Sequence, residues 1–259
     1  MPSNGSSSTN SPDGSPRDQG HPGSTIVFLH GTRLTGAQWA VQIAALSDDY
    51  HCLAPDLLGH GSAAGETFTV EAAAERVAGL IEREGRDGRA ILVGLSLGAY
   101  LAMAVAARWP ERVTGLAISG ATAEPVSLRS IPYRGLATIF STVPDAALDA
   151  VNRRFFAWRY RPEIHEPIIA GGFYFAGGAV AARSLVGERF KPRLAAYPGP
   201  TLILNGEYDL FFRPSERSFA AAAVHPKRVL IRGATHHANL DRPEAFTAAI
   251  RRFAESIPG

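Results

Sequence analysis

Residues 90–109 read AILVGLSLGAYLAMAVAARW. A short apolar run rich in branched side chains gives way to a longer one rich in alanine and leucine. This is the pattern of a buried strand over Ala90–Val93 passing directly into a helix over Leu97–Trp109. One polar residue, Ser96, stands at the junction, framed by Gly94 and Gly98. A sharp strand-to-helix turn strains its central residue and crowds the positions two away on either side. Glycine at both relieves that crowding and lets Ser96 raise its hydroxyl above the end of the sheet. The Leu97 amide, at the start of the helix, points into the same space and is suited to hold an oxyanion. The bland alternative is a Gly-Ser turn with Ser96 as a helix cap. The strand–helix setting favours a reactive hydroxyl.

A serine is a poor nucleophile until a base takes its proton, and the base needs an acid to orient it. Both are expected downstream, at the ends of later strands. After the strand Thr201–Leu204 comes NGEYDLF, a tight turn carrying Asp209. After the strand Val229–Ile231 comes RGATHHANLDRPEAF, with His236 and His237 in a loop before the last helix. A serine, then an acid, then a histidine along the chain is one of the orders such a constellation takes. Each has a plainer reading: Asp209 as a turn former, the histidines as capping or surface residues. Glu124, just past the strand Val113–Ser119, is a rival acid. The second oxyanion donor is expected from FLHGTRLTGAQW, where His30-Gly31 turns the chain and aims the Thr32 amide at Ser96. His30 then braces the loop, because a second base has no role.

The rest of the chain alternates in the same way. Thr25–Leu29 is a buried strand, followed by a helix near Ala37–Leu46 and a short strand at Cys52–Ala54. Thr69–Glu84 is an amphipathic helix with Val70, Ala73, Val77, Leu80 and Ile81 on one face. Helices over Ser215–Val224 and Pro243–Ser256 close the chain, the latter opening with a helix-start Pro-Glu pair. Strands alternating with helices imply an α/β fold with a mostly parallel sheet covered on both faces, and chemistry beyond the carboxyl ends of the strands. Between Ser119 and Thr201 the alternation fails. Helical stretches at Arg129–Ser141, Pro144–Trp158, Pro162–Phe173 and Gly178–Phe190 read as a helical cap inserted over that edge, with Phe155, Trp158 and Phe173 as candidate substrate contacts.

Bulk composition narrows the rest. Hydrophobic content of 46% and charged content of 19% are those of a core-forming chain. A net charge of +2 without runs of like charge gives no reason to expect nucleic acid or an anionic membrane as partner. No segment reaches the roughly 20 apolar residues of a membrane helix. The single cysteine, Cys52, suits a reducing, cytoplasmic setting and reads as a structural thiol rather than a nucleophile. Residues 1–24, polar and rich in Ser, Gly and Pro, read as a disordered tail without a secretory apolar core. His236-His237 lacks the company of a metal site, and no glycine-rich phosphate loop follows a strand, so neither metal nor organic cofactor is expected.

Taken together, HGTRLTGAQW, PDLLGHG, GLSLGAYLA, NGEYD and THHANLDRPEAF resemble the α/β-hydrolase superfamily over about Thr25–Gly120 and Thr201–Ser256. The resemblance implies a core from 25–123 and 190–259, a cap over 124–189, and His236 rather than His237 as the base. It implies structural roles for Asp56 and His60. Many members begin with an antiparallel hairpin; only polar sequence precedes Thr25 here, so a sheet of about six strands is expected. The shortened edge leaves a homodimer open. The resemblance further implies a small-molecule substrate and a serine hydrolase acting on carboxylic esters, small or medium apolar esters or lactones. Ser96 would be the nucleophile and the Thr32 and Leu97 amides the oxyanion donors. Two alternatives remain: hydrolysis of a carbon–carbon bond in a diketone by the same groups, and a ligand-binding protein with weak turnover. A lone arginine, Arg33, follows Thr32 and reads as solvated, with substrate-carboxylate recognition as the sharper reading.

Overall fold

The computed structural model describes residues 23–257; the expected tail lies almost wholly outside them. Among the described residues six strands form one parallel sheet: β1 (Thr25–Leu29), β2 (His51–Leu53), β3 (Ala90–Leu95), β4 (Val113–Ser119), β5 (Pro200–Gly206) and β6 (His225–Ile231), in the order β2-β1-β3-β4-β5-β6. β1, β3 and β5 are buried along almost their whole length, as parallel strands covered on both faces must be. In register, Leu29 lies beside Gly94 and Leu95 beside Ser119. The carboxyl ends of the central strands therefore finish level, and the loops after them meet.

One face of the sheet is covered by α2 (Val70–Glu84) and α3 (Leu97–Arg108), the other by α1 (Ala40–Leu46) and α11 (Pro243–Glu255). α2 starts where Thr69 Oγ1 accepts the Ala72 amide at 3.1 Å, and its predicted apolar stripe faces the core. α3 is apolar all round and correspondingly buried. Between β4 and β5 lie α4 (Ile131–Thr142), α5 (Asp145–Arg159), α6 (Pro162–Gly171), α7 (Phe175–Leu185) and α8 (Phe190–Ala196). α4 through α7 follow the four predicted stretches. α8 was not foreseen; its Phe190 and Leu194 join the core cluster that holds Tyr100 of α3. The short helices α9 (Glu216–Ala220) and α10 (Ala238–Asp241) complete the chain.

β6 is longer than the sequence pattern implied. It starts at His225 rather than Val229, and its first four residues are exposed. As an edge strand with one free side it accommodates polar residues and Pro226, which hide it from a search for apolar runs. Among the described residues no single helix is long and apolar enough to cross a membrane.

Candidate active site

Ser96 occupies the turn between β3 and α3 with φ +55° and ψ −116°, a conformation rare for a residue with a side chain. Its amide donates to the Ser119 carbonyl of the adjacent strand at 2.8 Å, which fixes the strained turn from outside. The flanking glycines are required by backbone packing. A Cβ on Gly94 would lie 2.4 Å from the Gly98 carbonyl oxygen, and one on Gly98 would lie 2.0 Å from that of Leu29.

Asp209, 4% exposed, sits in the turn after β5. Its Oδ1 accepts the Phe212 amide at 3.2 Å, leaving Oδ2 to meet Nδ1 of His236 at 2.9 Å. His236 lies between β6 and α10, its ring stacked on Phe212 with centroids 5.1 Å apart. Gly120, at φ +59° just past β4, lets that ring approach: a Cβ there would fall 2.6 Å from His236 Cε1. Ser96 and His236 line one cavity of about 170 Å³ together with Thr32 and Leu97.

The two expected oxyanion donors are placed by different means. Leu97 is the first residue of α3, where the helix supplies no acceptor for its amide. Thr32 is held from both sides, the Gly31 amide donating to Gln38 Oε1 at 2.7 Å and the Arg33 amide to His60 Nε2 at 3.1 Å. Its own hydroxyl donates to the Gly178 carbonyl of α7 at 3.3 Å, tying this loop to the inserted helices.

The rival acid is elsewhere. Glu124 accepts the Phe190 and Lys191 amides at 2.9 and 2.7 Å, so its carboxylate caps α8. His237 packs near Phe156, and burial together with the neighbouring His236 holds its pKa well below the usual histidine range. His30 and His60 are fully buried, and burial lowers the pKa of both. In each, Nδ1 bonds a nearby carbonyl while Nε2 accepts an amide, that of Leu57 for His30 and that of Arg33 for His60. Asp56 Oδ1 accepts the Gly36 amide and Oδ2 the Ser62 amide and hydroxyl. These three residues brace the loops under the site. Burial pushes the Cys52 thiol up to about 11, which does not suit a nucleophile.

The expected substrate contacts need correcting. Phe155, Trp158 and Phe173 do not line this cavity. Phe155 and Trp158 lie on the exposed side of α5, Trp158 79% exposed, while Phe173 stacks between Phe156 and Phe175 in the packing of the inserted helices. The rings that line it are Tyr133 of α4 and Phe211 and Phe212, with Pro132, Leu136, Ala182 and Leu185. Tyr133 is oriented by a hydroxyl pair with Tyr100, which in turn donates to the Ala123 carbonyl. Phe211 and Phe212 had a sequence signal, since they follow the Asp209 turn in NGEYDLFF.

The sequence model of the alpha/beta hydrolase family matches residues 26–249. The chain belongs to that family. Among solved structures, an esterase from Thermogutta terrifontis superposes with a TM-score of 0.76 at 27% identity, covering 90% of each chain. Haloalkane dehalogenase 2 of Mycobacterium tuberculosis is 28% identical over 252 residues, 88% of this chain and 87% of that protein. An AB hydrolase superfamily protein of Gibberella zeae is 35% identical over 100 residues only, and the match spans 36% of its length. The relatives that this chain resembles thus carry names that differ in the bond attacked.

Proposed function

We propose that this alpha/beta hydrolase cleaves carboxylic esters, lactones included, through an acyl-enzyme on Ser96. The observation that carries this reading is the Asp209–His236 pair at 2.9 Å beside a cavity that Ser96 also lines. In this mechanism His236 takes the Ser96 proton as the hydroxyl attacks the carbonyl carbon, and the Thr32 and Leu97 amides hold the oxyanion. His236 then protonates the departing alcohol. Water, deprotonated by the same imidazole, releases the acid. Asp209 keeps the proton on Nδ1, so that Nε2 is free to act as the base, and stabilises the imidazolium.

The nucleophile argues for acyl chemistry over displacement of halide. A serine oxygen attacking a saturated carbon would form an ether, which water has no ready means of cleaving; an acyl ester is cleaved by the same base that made it. The cavity volume, about 170 Å³, is close to the roughly 150 Å³ that accommodates a benzene ring, and its walls are mostly apolar. A short acyl chain or a single aromatic ring fits that space.

A fluorophosphonate probe tests the assignment. The parent protein is expected to be labelled and Ser96→Ala not; equal labelling of both refutes it. Nitrophenyl esters of graded chain length, lactones and vinylogous diketones then rank the bond types, with short-chain esters expected first.

A further inference from the structure

Arg33 follows the Thr32 oxyanion loop and is not the solvated side chain its sequence position suggests. It is partly buried, and its backbone is fixed at φ +62°. The Arg33 amide donates to His60 Nε2 at 3.1 Å, and its carbonyl accepts the Tyr174 amide at 2.9 Å. A left-handed backbone is costly for a long side chain and persists where its surroundings enforce it. The guanidinium is held in place on two sides. Nε donates to Asn152 Oδ1 of α5 at 2.8 Å, and the group lies 6.0 Å from the centre of the Phe140 ring of α4.

Neither contact neutralises the charge. Among the described residues no carboxylate pairs with Arg33, and its side-chain hydrogen bond runs through Nε alone, so the two terminal nitrogens are left over for a ligand. Burial without a counter-charge pulls its pKa down to about 10. A partly desolvated cation without a counter-ion gains from an arriving carboxylate, which can meet the fork with two parallel hydrogen bonds. Arg33 does not itself line the Ser96 cavity but adjoins it: Thr32 before it lines that cavity, and Leu136 of the same cavity lies one helical turn from Phe140, against which the guanidinium sits.

We propose that Arg33 is a specificity-determining residue that binds a carboxylate of the substrate, so that the ester or lactone opened at Ser96 carries a second, anionic group. This rests on the ester-hydrolase reading above and narrows its substrate class. The Ser96 cavity takes the apolar part of the molecule, and the Asn152–Phe140 corner holds the acid through Arg33. Asn152 is a positioning residue for the guanidinium and acts only through it.

Two measurements on the full chain separate this proposal from the reading beneath it. The first is binding without turnover: adipate is expected to raise the Tm of the parent, and Arg33→Gln to abolish that rise, with Arg33→Lys keeping part of it. No rise in the parent, or an equal rise in Arg33→Gln, overturns the proposal, whatever the protein hydrolyses. The second compares kcat/KM for 4-nitrophenyl hexanoate with two anionic esters, mono-4-nitrophenyl adipate and 4-carboxyphenyl hexanoate, which carry the charge on opposite sides of the ester. Arg33→Gln is expected to lower at least one anionic ester about tenfold more than the neutral one. Equal losses on all three overturn the proposal while leaving the ester-hydrolase reading intact. Fluorophosphonate labelling of Ser96 without turnover of any ester, alongside an Arg33-dependent Tm rise, fails that reading and keeps the anion site.

Discussion

Acid should loosen the loops beneath the site through His30. This ring is 0% exposed; its Nδ1–H donates to the Gly31 carbonyl and its Nε2 accepts the Leu57 amide, both at 2.9 Å. A second proton on the ring would turn Nε2 into a donor facing a donor and put a charge where water does not reach. Burial first, and the His60 ring at 5.2 Å second, bring its pKa from 6.5 down to about 3. Because the folded value lies below the unfolded one, the unfolded chain takes up the proton first. Stability is therefore unaffected above the unfolded pKa of 6.5 and falls as pH drops from there toward about 3. At about pH 4.5 the loss from this one group is about 3 kcal/mol, a large part of a typical 5–15 kcal/mol. His60, also lowered by burial, adds in the same direction. Asp56 adds its own loss only at lower pH, chiefly below its unfolded value of 3.8: burial alone would raise its pKa, but the hydrogen bonds from Gly36 and Ser62 outweigh this and hold it below that value. The assay is urea unfolding of the parent and His30→Gln at about pH 7.5 and about pH 4.5. Gln offers an acceptor to the Leu57 amide and does not titrate, so the variant starts less stable but should lose about 3 kcal/mol less across that interval. An equal loss in both proteins, with unchanged m-values, refutes the reasoning.

Asp209→Asn should leave the fold intact and lower ester turnover on the order of 10⁴-fold by favouring the wrong tautomer of His236, read as kcat at saturating substrate. Glu124→Ala removes the acceptor for the Phe190 and Lys191 amides; thermal unfolding should show a loss of about 1 kcal/mol, while kcat per folded molecule stays within about twofold. A thousandfold loss of kcat there would transfer the acid's role from Asp209. Gly98→Ala drives a Cβ to 2.0 Å from the Leu29 carbonyl oxygen; a fall of more than about 3 kcal/mol or failure to accumulate folded protein is expected, measured by circular dichroism and soluble yield. Tyr133→Phe breaks the hydroxyl pair with Tyr100 at the cavity wall and should cost about 1 kcal/mol of stability, leaving fluorophosphonate labelling of Ser96 in place.

What the chain determined by itself is what neighbouring residues impose on one another. The switch from a strand run to a helix run at Ser96 sets a turn that only glycine at 94 and 98 tolerates, and the observed backbone has that form. Thr69 capping α2, the apolar burial of β3, and the sequence of strands that orders a parallel sheet belong to the same class. Ser96, Asp209 and His236 stand as candidates for a related reason: each sits just beyond a strand, and parallel strands finish on one side. The tertiary structure decided which side chains face one another across that side. It put Tyr133, Phe211 and Phe212 against the cavity and left Trp158 outside, because the choice depends on how α4, α5 and α7 pack against loops far away in the chain. It assigned Glu124 to the cap of α8 and left Arg33 half-buried with no carboxylate partner among the described residues. Local sequence patterns fix backbone form, which is a matter of near neighbours. The partner of a charge or a ring is fixed by contacts between segments tens of residues apart, and no local pattern encodes those.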